Sequence, residues 1–294
     1  MTTITLSLSR VFSRASDYLE LAKARLVSLV LLSTAVGFFL ASPGRMNMPL
    51  FWLTLAGTGL VAAGSMALNQ WMERVHDARM PRTSDRPLPA GRLHAWEALI
   101  SGCLVSVTGI FLLFSYAGPA AAFLAALTLV SYLLLYTPMK RTTSLCTIVG
   151  AVPGALPPLI GWAAVAGKPS FEAWILFAIM FLWQMPHFLA IAWMYRKEYA
   201  AADFRMLSVT DESGEQVGRQ ILIYSLALLP VSLLPAIVHL NGVLYFFSAL
   251  ALGLYLIKLA VESLKNLDQK ARPLFRASIL YLALILIMMV ADKA

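Results

Sequence analysis

Nine stretches of predominantly apolar residues follow one another along the chain, near 26–42, 50–70, 95–115, 119–137, 145–166, 171–194, 220–239, 243–262 and 274–291. A helix rises 1.5 Å per residue, so about 20 such residues match the hydrocarbon thickness of a bilayer. The pattern therefore predicts nine membrane-spanning helices. The connections between them differ sharply by parity. If successive connections alternate sides, 20 of the 23 Lys and Arg residues fall on the side of the N-terminus. The other side holds only Arg45, Lys168 and Lys293. The positive-inside rule makes the basic side cytoplasmic, with the N-terminus inside and the C-terminus outside. A miscounted helix would scramble this asymmetry, so it also supports the count.

Composition agrees with that reading. Of the 294 residues 60% are hydrophobic and 13% charged, against about 45–50% and about 25% in a soluble domain. No polar linker is long enough to separate two cores, so 1–294 is expected to form one integral-membrane domain with 1–25 as a cytoplasmic N-terminal segment. The net charge of +8 reports topology and contact with anionic lipid, with no nucleic acid implied. The first 25 residues carry Arg10, Arg14, Lys23 and Arg25 but no apolar stretch with a small-residue cleavage site, which argues against a cleaved secretory signal. Asp17 and Glu20 argue against an organelle transit peptide, and a bacterial inner membrane is the expected location. Cys103 and Cys146 sit in apolar runs without a CxxC pattern and are expected to be buried thiols. No Walker, GxSxG or HExxH motif occurs, which disfavours nucleotide-driven chemistry.

The two longest connections, near 72–94 and 195–219, are both on the basic side, and both carry acids. Asn69, Glu73 and Asp77 are spaced i, i+4, i+8, which aligns three oxygen-bearing side chains along one helical stripe. Mg²⁺ takes oxygen ligands and fills much of its shell with water and substrate phosphate. Arg74, Arg79, Arg82 and Arg86 follow, and guanidinium groups match phosphate oxygens. A salt-bridged, snorkelling helix end explains any one of these charges; the combination, with RPLP forcing an extended exit after Arg86, favours a metal–diphosphate site. Glu198 and Asp203 in the second connection are candidate metal ligands, but a spacing of five does not align them on a helix. YTPMKRTT at 136–143 is a tight turn in which Lys140 and Arg141 either fix topology or hold phosphate. Pro138 is expected to end the fourth helix.

Within the membrane, GAVPGALPPLIG at 150–161 concentrates three Gly and three Pro in one span. Broken backbone at that depth is tolerated where it lines a cavity; close packing through Gly150 and Gly154 is the alternative. His187, in WQMPHF at 183–188, is an ionisable group inside a span and so a functional candidate. Aromatic residues near the cytoplasmic ends, Trp183 and Tyr199 among them, serve either as an interfacial belt or as ring faces toward a carbocation.

N-x-x-x-E-x-x-x-D at 69–77 followed by M-x-R-T-x-x-R-P-L-P-x-G at 80–91 resembles the first acidic motif of the UbiA-type intramembrane prenyltransferases. YTPMKRTT, GALPPLIGW at 154–162 and WQMPHF narrow the resemblance to the branch that farnesylates protoheme. The likeness runs from the first helix to Leu207; the last three helices are generic. It implies an all-α bundle of nine helices around a central cavity that opens sideways to lipid. It also implies Mg²⁺, farnesyl diphosphate and heme B as metal and substrates, and a heme A synthase-type enzyme downstream. Asn69, Glu73 and Asp77 would hold the metal with Arg82, Arg86, Lys140, Arg141 and Tyr199 around the diphosphate, and His187, Trp183 and Gln184 would adjoin the heme. The second motif departs from the family pattern, with Glu198-Tyr199-x-x-Ala202 before Met206-Leu207 and Asp203 as an extra acid. Two other readings stand: a prenyltransferase with an aromatic quinone-precursor acceptor, and a transporter, although the charges crowd one face and only one helix is plainly broken.

Overall fold

A computed structural model describes residues 14–294; Arg10 and the rest of residues 1–13 of the N-terminal segment lie outside the described residues. Among the described residues nine helices are long and apolar enough to cross a membrane: α1 Ala24–Ala41, α2 Met48–Asp77, α3 Ala95–Ala117, α4 Pro119–Met139, α5 Cys146–Ala166, α6 Phe171–Met194, α7 Glu215–Ile237, α8 Val243–Lys265 and α9 Leu267–Ala291. The protein is thus a nearly all-helical, multi-pass membrane protein. Several helices outrun their apolar stretches. α2 continues seven residues past the greasy run, so Glu73 and Asp77 ride on the helix itself. Hydropathy marks the bilayer edge, while backbone hydrogen bonding carries the helix beyond it.

α5 and α6 are the most enclosed helices. α5 breaks at Leu156, where Pro157 and Pro158 supply no N–H to continue the ladder. The bend brings its second half onto α1 at backbone contact: a Cβ on Gly37 would lie 2.1 Å from Pro158 O, and one on Gly161 2.0 Å from Thr34 O. Gly150 and Gly154 combine both anticipated roles. They line an internal cavity, and they admit the Tyr136 ring and the Gln184 amide close to the α5 backbone. α4 widens into a π segment at Ser131–Tyr136 and ends at Met139, one residue past Pro138.

Large apolar side chains such as Trp52, Phe111, Phe123, Phe247 and Ile287 face outward, as expected where lipid replaces water. The same fact corrects the reading of Cys103, which is exposed on α3, whereas Cys146 is buried. Apolar sequence context separates membrane from water; it does not separate the lipid face from the interior.

Candidate active site

The C-terminal end of α2 places Asn69, Glu73 and Asp77 one above another, and all three are almost wholly buried. Each carboxylate has its own cation. Lys140 Nζ donates to both oxygens of Glu73, at 2.8 and 3.1 Å. Arg86 Nη1 donates to Asp77 Oδ2 at 2.7 Å. Asn69 donates through Nδ2 to Thr137 Oγ1 and accepts from Lys23 Nζ, both at 3.1 Å.

Local chain geometry explains how Arg86 returns to a residue nine positions earlier. After α2 the backbone makes successive tight turns: Ser84 N–H bonds Met80 O, Ala90 N–H bonds Arg86 O, and Thr83 Oγ1 bonds Asp77 O. Met80 and Leu88 anchor the loop inside, and Gly91 takes the positive φ of 71° that lets the chain leave toward α3. Lys140 arrives from the short turn after α4, whose carbonyl accepts from Arg205 N–H at 2.8 Å. That bond ties the turn to the connection between α6 and α7.

These groups form one end of a cavity of about 370 Å³ that continues between the helices. Its polar rim comprises Lys23, Asn69, Glu73, Asp77, Arg82, Arg86 and Lys140; Tyr199 and Phe204 adjoin them. Arg82 lies over the ring of Tyr195 at 5.0 Å and near Tyr199 at 6.0 Å. The cavity then passes Tyr132 and Tyr136 and reaches Trp183, Gln184 and His187 on α6. Trp183 donates its indole N–H to Ser278 O at 2.6 Å, and Gln184 donates to Ala151 O and Met180 O at 3.2 and 3.0 Å. Both side chains are therefore committed to structure and shape the wall. His187 stacks against Trp183 and Phe275, with centroids 4.9 and 5.0 Å away.

Other predicted residues lie elsewhere. Asp203 is a surface residue with φ 60° that pairs with Arg79. Arg141 is exposed and donates to Met72 O at 3.3 Å, outside the cavity lining. Glu198 is also absent from the lining, although its Oε2 is buried without a hydrogen-bond partner. Arg74 lies over Trp71 on the outside. Sequence reading missed Lys23, counting it as a topology charge beside Arg25. It occupies a left-handed turn, φ 49° and ψ 55°, just before α1. That turn aims its ammonium at Asn69, while Arg25 stays exposed.

Electrostatics at the rim are tightly coupled. Burial, and next the adjacent Arg86 charge, lower the Lys23 pKa to about 7. Burial also opposes the charge of Lys140, but the Glu73 carboxylate more than reverses this and raises Lys140 well above its ordinary value. Among the described residues no three His, Cys, Asp or Glu side chains form a metal cluster by themselves. One amide and two carboxylates surrounded by four cations fit a metal that arrives with phosphate oxygens better than one held by protein alone.

A sequence model of the UbiA prenyltransferase family matches residues 30–285. The chain belongs to the UbiA prenyltransferase family. It is similar to the protoheme IX farnesyltransferase of Solibacter usitatus (strain Ellin6076), with 47% identity over 94% of this chain and 98% of that one. The fold of this UbiA member resembles a solved digeranylgeranylglyceryl phosphate synthase, at TM-score 0.81 and 16% identity over 95% of this chain and 98% of the other. It also resembles a UbiA homolog from Archaeoglobus fulgidus bound to GPP and Mg²⁺, at TM-score 0.66 and 15% identity over 94% and 99% of the two chains.

Proposed function

We propose that this UbiA-family chain is an enzyme that transfers a farnesyl group from farnesyl diphosphate to a vinyl group of protoheme, giving hydroxyethylfarnesyl heme (heme O) and diphosphate. The observation that carries this reading is the single cavity joining a rim of paired carboxylates and cations to an interior that contains His187. Near full-length similarity to a protoheme IX farnesyltransferase supports the choice of acceptor.

Asn69, Glu73 and Asp77 are the residues that would hold Mg²⁺ on the diphosphate. When bound, the metal neutralises charge on the departing group. Lys23, Arg82, Arg86 and Lys140 bind phosphate oxygens, with Arg86 and Lys140 sharing themselves between the diphosphate and their carboxylate partners. As the C1–O bond breaks, its electron pair leaves with the diphosphate, where these fixed cations already stand; charge met by preorganised groups is where such a site gains most. The Tyr132 and Tyr136 rings line the cavity that the allylic cation would occupy, and aromatic rings stabilise positive charge. Tyr199 and Phe204 add aromatic surface at the rim. The vinyl group attacks farnesyl C1, and water adds to the resulting cation and gives up a proton. His187 adjoins the porphyrin, with Trp183 and Gln184 as wall.

The same reading places 1–294 in one membrane domain of a bacterial inner membrane, N-terminus cytoplasmic and C-terminus outside, with the rim at the cytoplasmic face. Its product suits a heme A synthase-type enzyme. Expression in a host lacking heme O tests the function through the hemes it extracts. Appearance of heme O is expected. Unchanged heme B together with a prenylated quinone precursor would overturn the acceptor assignment.

A further inference from the structure

Resting on that acceptor reading, we infer that His187 binds the iron of the acceptor porphyrin axially through Nε2, and that Ser278 is the positioning residue that leaves this nitrogen free. The inference starts from proton bookkeeping at one hydroxyl. Ser278 Oγ lies 2.8 Å from His187 Nδ1 and 2.7 Å from Phe275 O. A hydroxyl has one proton, and a carbonyl oxygen can only accept. Both contacts are hydrogen bonds only if Ser278 donates to Phe275 O and accepts from Nδ1–H. The reverse arrangement would leave two acceptors facing each other across 2.7 Å.

A neutral imidazole protonated at Nδ1 carries its lone pair on Nε2. That nitrogen has no hydrogen-bond partner among the described residues, and His187 lines the cavity. The ring is also fixed in orientation, held between Trp183 and Phe275. Trp183 is in turn pinned to the carbonyl of Ser278 itself at 2.6 Å. Ser278 thus governs both the tautomer of the imidazole and the seat of the ring beside it. A histidine whose second nitrogen donates to a fixed oxygen is the usual arrangement of a metal-bound imidazole. Iron porphyrins take such a ligand at an axial position. Met180 also lines the cavity about two turns earlier on α6, but His187 is the one imidazole in the lining among the described residues.

The test uses the full chain purified in detergent and titrated with heme B, zinc protoporphyrin and metal-free protoporphyrin, without farnesyl diphosphate. The expected result is a histidine-ligated heme absorption spectrum and weaker binding of the metal-free ring. His187→Ala should lose that spectrum, and added imidazole should restore it. Ser278→Ala should weaken heme binding by roughly 10- to 100-fold with farnesyl diphosphate affinity unchanged, while Ser278→Thr keeps it. Equal binding of metal-free protoporphyrin, which needs no variant, would overturn axial ligation; so would an unchanged spectrum in His187→Ala. Failure of the unmodified chain to bind any of the three porphyrins, with farnesyl diphosphate still bound, would overturn the acceptor reading itself.

Discussion

Removing one partner of the Glu73–Lys140 pair should damage stability and activity together, and removing both should restore only stability. At 2.8 Å and an effective dielectric near 20, the attraction is about 6 kcal/mol. Desolvation of both ions offsets much of it, since the side chains are 5% and 13% exposed. The net value of the pair is therefore small, while the cost of orphaning either ion is about 3–5 kcal/mol. Glu73→Gln keeps the shape of the side chain and leaves Lys140 charged among Tyr136 and Phe204. Lys140→Met leaves the Glu73 carboxylate buried without its cation. Thermal unfolding of the purified protein in one detergent should fall by on the order of 10 °C for each single variant. The double variant should recover most of that loss, so that the two changes are strongly non-additive. Prenyl transfer should be abolished in all three, because each variant lacks the metal-holding carboxylate, the phosphate-binding ammonium or both. Losses that simply add in the double variant would refute the electrostatic argument, and activity in the double variant would refute the catalytic one.

Other consequences follow from the same geometry. Asp77→Asn should lower turnover by roughly 10²-fold or more while expression stays near the parent level; full activity in an initial-rate assay would remove Asp77 from the metal site. Lys23→Met should raise the KM for farnesyl diphosphate and leave heme affinity unchanged, since its ammonium meets Asn69 at the rim; equal effects on both substrates would contradict a diphosphate contact. Gly161→Ala puts a methyl group 2.0 Å from Thr34 O and should destabilise the protein by about 1–3 kcal/mol, measurable as reduced thermal stability. A neutral result would mean that α1 shifts freely on α5.

Much of this architecture is legible in the sequence because lipid imposes a severe rule. Each span must bury its own hydrogen bonds and remain apolar for about 20 residues, so hydropathy and basic asymmetry expose the helices directly. The broken α5 shows for a similar reason, since Pro157 and Pro158 admit few alternatives. The stripe Asn69, Glu73, Asp77 is readable because helical phase is regular over two turns. Contacts between distant segments are not readable in that way. Nothing in local pattern says that Lys23 turns inward and Arg25 outward, because one left-handed residue sets that phase. Asp203 and Glu198 look alike as acids in a loop, yet Asp203 faces Arg79 at the surface while one Glu198 oxygen is buried. Ser278 sits in a generic helix, and only the packing of α9 on α6 brings it to His187. Cys103 illustrates the remaining ambiguity, since the lipid face and the interior share the same apolar alphabet.

The most direct test of the central claim is the mass of the product. Purified protein in detergent is incubated with heme B, farnesyl diphosphate, Mg²⁺ and a competing aromatic quinone precursor, and the extract is analysed by mass spectrometry. The account predicts a heme heavier by one farnesyl group plus one hydroxyl, formed only when the metal is present, with the aromatic compound untouched. Unmodified heme beside a prenylated aromatic product would contradict it.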